Sequence, residues 1–105
     1  MNAQTTWPEG VIARYLTVGT ATVDLAVVTR SHKYEDGITG TRGATYAECT
    51  GCSASEEFSH WRIHRGDYSD WEVEDPDAAD SKARDWAQVH AEKCRAMPKP
   101  TATDK

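Results

Sequence analysis

The stretch with the most definite chemistry is Cys49-Thr50-Gly51-Cys52. A two-residue spacer lets both thiolates of one tight turn reach the same metal ion, and the glycine relieves that turn. His90 and Cys94 stand four apart in a helix-periodic segment, so their side chains leave one face a single turn apart. The four residues together predict a Cys3His zinc site with Cys49, Cys52, His90 and Cys94 as ligands. Such a site is closed, with no coordination position left for a substrate. The expected role of the metal is therefore to hold the fold together, and no catalytic residue and no other cofactor is expected.

Other readings of these residues compete with it. Cys94 could be a buried thiol and His90 a histidine packed beside Trp86, with Cys49 and Cys52 free or disulfide-linked. His60 and His64 could supply the second ligand pair, but the alternation of Trp61 and Ile63 around them reads as a strand. Four residues along a strand are about 13 Å apart, too far for one ion. Cys49 and Cys52 could instead be working thiols of a redox or metal-handling protein. A thioredoxin-like pair normally opens a helix whose dipole lowers the thiol pKa, and here a strand pattern follows. No nucleophile elbow, phosphate-cradling glycine loop or metalloprotease signature is present.

Composition limits the partners. At 105 residues and 11.6 kDa the chain suits one small domain, for which a metal staple matters. A net charge of -5 argues against coating nucleic acid by charge alone. An odd cysteine count beside a Cys-x-x-Cys favours a metal in a reducing, cytoplasmic setting over a secreted disulfide framework. No apolar run approaches the roughly 20 residues that would span a membrane. Arg14, Tyr15, Arg30, His32, Lys33, Tyr34 and Arg42 could line a basic aromatic face that stacks bases, although ordinary strand-face polarity explains them as well.

The elements that must position the ligands follow from periodicity. Residues 1–8 read as a flexible arm, 9–98 as a single zinc-stapled domain and 99–105 as a disordered tail. Residues 11–30, rich in β-branched types, suit two strands, with Val23, Leu25 and Val27 facing the core. Val18-Gly19-Thr20 is either a hairpin turn or a bulge. Residues 31–43 read as a mobile glycine-rich loop, 44–48 as a strand delivering the Cys-x-x-Cys turn, and 58–65 as a fourth strand. The acidic run 67–80 reads as a solvated linker or as a contact for a basic partner. Asp75-Pro76-Asp77 then starts a helix over 76–97 that packs through Trp86, Val89 and Met97. The fold class expected is α+β: a small antiparallel sheet of three or four strands with one C-terminal helix, clamped by zinc.

Residues 83–98, Ala-Arg-Asp-Trp-Ala-Gln-Val-His-Ala-Glu-Lys-Cys-Arg-Ala-Met-Pro, carry a resemblance together with 12–19, 21–25 and the Cys49–Cys52 turn. The chain resembles a group of small uncharacterised zinc-finger-like proteins of streptomycetes and related actinobacteria, often associated with plasmids and integrated mobile elements. The resemblance implies a zinc-binding accessory protein of an actinobacterial cytoplasm. The function expected from the chain as a whole is a non-catalytic binding module, a regulatory or transfer accessory that contacts nucleic acid or protein.

Overall fold

The computed structural model describes residues 7–98, among which the chain forms six strands and one helix. They are β1 (Val11–Leu16), β2 (Thr22–Lys33), β3 (Thr39–Cys49), β4 (Ser55–Ser59), β5 (Trp61–Arg65), β6 (Asp70–Glu74) and α1 (Pro76–Lys93). Strands β1 to β4 form an antiparallel sheet in chain order, while β5 and β6 form a separate two-stranded antiparallel ribbon. The expected α+β architecture is present, with the ribbon added to it. Most of the arm and all of the tail, residues 1–6 and 99–105, lie outside the described residues.

Pairing of Ala13 with Leu25 and of Leu25 with Ala47 aligns small and large side chains on one face of the sheet. That face meets Ala83, Ala87 and Ala91 of α1. Alanines four apart give the helix a smooth stripe, so its backbone lies close to the sheet. Leu25 and Val23 are the largest of the fully buried side chains. Three expectations about packing are corrected here. Val27 is 53% exposed, because α1 does not extend over that part of β2; Val89 and Met97 are exposed as well. The helix stops at Lys93, and Cys94 is extended at φ -77, ψ 119. The reason is tertiary: the turn after β1 supplies N–H donors, Val18 to Ala91 O and Gly19 to Cys94 O. These satisfy carbonyl groups at the helix end that would otherwise favour another turn.

Residues 31–43 are not a mobile loop but the upper half of a long hairpin, paired from Arg30 with Arg42 to Lys33 with Thr39. Gly43 read as a loop former, yet its role is steric. A Cβ there would lie 2.7 Å from Nδ1 of His60. That histidine also divides the expected strand 58–65 in two. Its side chain is buried, Nε2 lies 2.9 Å from Thr45 Oγ1, and its N–H donates to Gly43 O, so the chain is pinned there and β5 leaves the sheet. The Gly19 ambiguity resolves to a turn between β1 and β2, with a bulge lying instead between Val11 and Ala13.

The acidic run is also structured, since β6 pairs with β5. Its carboxylates meet arginines: Asp70 with Arg65, Glu72 with Arg42, Asp75 with Arg62 and Asp80 with Arg84. Arg42 lies over the rings of Tyr34 and Trp61 and so joins the ribbon to the long hairpin. The expected helix start is present. Asp75 Oδ1 accepts from Ala78 N–H at 3.2 Å, and Pro76 occupies the first turn.

Asp75 yields a prediction about acid stability. The Arg62 guanidinium, and after it the Ala78 amide, hold its carboxyl below the usual carboxylate range despite desolvation. A pKa depressed by folding contributes stability that is complete above the unfolded value, about 3.9, and is lost as pH falls through the folded value. Asp75→Asn keeps a capping oxygen without the charge. The stability difference between wild type and Asp75→Asn, read from thermal melts followed by circular dichroism, should therefore be constant at neutral pH and shrink below about pH 4. A difference that persists unchanged into acid would exclude the carboxylate as its source.

Candidate metal centre

β3 ends at Cys49, and the turn that follows is held by its own backbone. Cys49 N–H donates to Ala54 O at 2.8 Å, Ser53 N–H to Cys49 O at 3.2 Å and Gly51 N–H to Cys49 Sγ at 3.3 Å. Ser53 takes a left-handed φ of 68, which turns the chain back toward β4. Thr50 fastens the turn to β2 by donating its N–H to Thr22 O, while its Oγ1 accepts from Thr22 N–H.

The last turn of α1 and the residue beyond it bring the other pair. His90 Nε2 lies 3.2 Å from Cys52 Sγ, and Cys94 Sγ lies 3.9 Å from Cys49 Sγ. The four ligand atoms are all within 4.8 Å of one another. A tetrahedron with metal–sulfur bonds of about 2.3 Å has sulfur–sulfur edges of about 3.8 Å, so the Cys49–Cys94 separation fits a shared ion. The four residues singled out by spacing thus converge on one point. Cys94 does so from an extended conformation just past the helix and not from inside it.

Burial grades across the cluster. Cys49 is buried, His90 and Cys94 are half-buried and Cys52 is exposed. The Ala54 backbone and the neighbouring thiols of Cys94 and Cys49 lower the Cys52 pKa against the effect of desolvation. At Cys94 the Ala96 backbone favours the thiolate, but desolvation and the sulfurs of Cys52 and Cys49 outweigh it and raise the pKa. Three sulfurs this close resist carrying charge together. A divalent cation removes that conflict, and the chemistry of the donor set therefore fits a metal ion.

The segment after the helix is threaded between two glycines. A Cβ on Gly51 would stand 2.6 Å from Ala96 O and 2.9 Å from Ala21 Cβ, and one on Gly19 would strike the backbone of Arg95. Both clashes are with backbone or buried atoms that cannot rotate away. Gly51→Ala should accordingly destabilise the metal-loaded protein by about 1–3 kcal/mol, measured by urea unfolding, and weaken metal retention. Wild-type stability in this variant would show that 94–96 does not press against the turn.

The competing ligand pair does not assemble. His60 is bonded to Thr45, and His64 lies against Trp71 in the ribbon, with ring centroids 4.5 Å apart. The basic aromatic residues do not form one free face either. Arg14 is bound by both oxygens of Asp24, Arg30 by Glu57 and Arg42 by Glu72, and Tyr15 packs against the core. A cleft of about 810 Å³ lies between the tip of the long hairpin and β6 and is lined by Tyr34, Trp71 and charged residues of both signs. It is remote from the sulfurs, because Lys33 stands ten residues, about 33 Å of strand, from Val23, the partner of Cys49. Among the described residues no helix is long and apolar enough to cross a membrane.

An α+β domain carrying a Cys3His cluster is the class of protein that this fold and site define. No protein-family model, curated protein or solved structure matches the chain.

Proposed function

We propose that the chain is a non-catalytic zinc-binding module, a regulatory or mobile-element accessory protein of the actinobacterial cytoplasm that contacts nucleic acid or another protein. The observation that carries the zinc reading is the convergence of Cys49, Cys52, His90 and Cys94, two from a strand-end turn and two from the end of the helix. Three thiolates and one imidazole are soft and borderline donors that suit zinc, and four protein ligands leave no position for substrate. Of the two partner classes the charge distribution favours protein. The net charge is -5, and Arg14, Arg30, Arg42, Arg62, Arg65 and Arg84 are each already paired with a carboxylate.

Native mass spectrometry before and after a chelator, combined with thiol alkylation, tests the zinc reading. The expected result is one zinc per chain, with all three cysteines protected until chelation. The alternative, a redox or metal-handling protein, draws support from the exposed Cys52 with its lowered pKa. It predicts working thiols: a Cys49–Cys52 pair that alkylates readily without chelation and, in a redox protein, cycles to a disulfide.

A further inference from the structure

Trp86 and His90 are four apart on α1, and their rings are stacked, with centroids 5.0 Å apart and planes only 6° from parallel. Both side chains are half-buried, and Trp86 packs against the core beneath the helix. The rest of the buried helix face is alanine. We infer that Trp86 is a positioning residue for the metal: its indole sets the plane of the His90 imidazole and so directs Nε2 at the three sulfurs. This inference rests on the zinc reading above.

The physical need is specific. The torsion that turns an imidazole about its Cβ–Cγ bond is broad, so an unsupported ring spreads Nε2 over many directions. Ligating histidines are ordinarily fixed through their second nitrogen, by a carboxylate, carbonyl or water. The restraint that this structure presents is an aromatic plane. The i, i+4 spacing gives the stack without any contribution from another element, so it travels with the helix end that carries both ligands.

Cobalt(II) provides the test, since its absorption reports ligand geometry independently of how stable the protein is. Wild type, Trp86→Leu, Trp86→Phe and, as a control for lost packing, Phe58→Leu are loaded with cobalt, and zinc affinity is measured by competition with a chromophoric chelator. Phe58 packs on the same core, on β4. Trp86→Leu is expected to bind zinc about tenfold more weakly and to show an altered cobalt spectrum. Trp86→Phe, which keeps an aromatic plane, should restore the wild-type spectrum, and Phe58→Leu should leave it unchanged. Should Trp86→Leu fail to fold, proton NMR of zinc-loaded wild type decides, because His90 ring protons stacked on an indole are shifted upfield.

An unaltered cobalt spectrum in Trp86→Leu, with an affinity loss no larger than in Phe58→Leu, would overturn the inference and leave Trp86 as core filling. Unshifted His90 ring protons would overturn it as well. If wild type itself gives no thiolate–cobalt absorption, the metal reading has failed and this inference fails with it.

Discussion

Cys94→Ser is expected to lose the metal and with it most of the cooperative fold. The apparent free energy of a structural zinc, about 10–16 kcal/mol, is as large as the roughly 5–15 kcal/mol net stability of a whole domain. The core it supplements is thin: apart from Val23 and Leu25, the buried cluster consists of Ala13, Ala47, Ala83, Ala87, Ala91 and Cys49. Alanine contributes little apolar area, so helix and sheet are held together in large part by what joins their ends. Cys94 is also where the chain leaves α1 and where its carbonyl accepts from Gly19. Loss of the metal should therefore free the β1–β2 turn and the Cys49–Cys52 turn together. Thermal melts and zinc content of Cys94→Ser check this, with a chelator acting on wild type as the matching experiment. Wild-type zinc content and an unchanged Tm in Cys94→Ser would refute the clamp.

Leu25→Ala is expected to cost about 3–4 kcal/mol, within the range for removing a fully buried leucine. For a domain of this size that lowers Tm by roughly 10–25 °C. The estimate belongs in the upper part of the range because of what surrounds Leu25. Its cross-strand neighbours are Ala13 and Ala47, and the buried residues of the helix above are alanines, so the side chains in register with it are too short to fill the space. Leu25→Met, which conserves volume, should cost less than about 1.5 kcal/mol. Val27→Ala, two residues along the same strand face, should be nearly neutral because Val27 is exposed. Urea unfolding of the zinc-loaded variants orders the three. A large loss at Val27 with little at Leu25 would mean that the helix covers a different part of β2.

The types and spacing of Cys49, Cys52, His90 and Cys94 were enough to single out the cluster that could hold a metal, because a Cys-x-x-Cys turn and an i, i+4 pair are local geometries. The same holds for the Asp75-Pro76 helix start and for the alternation at Val23 and Leu25, which neighbouring residues dictate. What sequence alone left open depended on distant partners. Glycines at 40 and 43 resemble loop formers, and only the approach of the Tyr34 and His60 rings shows that they belong to a strand. A carboxylate run looks like a solvated linker until Arg42, Arg62 and Arg65 are seen to pair with Glu72, Asp75 and Asp70, alongside the pairing of β6 with β5. The helix wheel placed Val89 and Met97 on the apolar side, yet the alanine stripe won, since only small side chains let α1 approach a flat sheet closely. The helix end was likewise decided by amide groups of the β1–β2 turn, remote in sequence and adjacent in space. Sequence determined which atoms could bind a metal; tertiary structure decided how they are brought together, because hydrogen bonding and close packing between distant segments leave no trace in local periodicity.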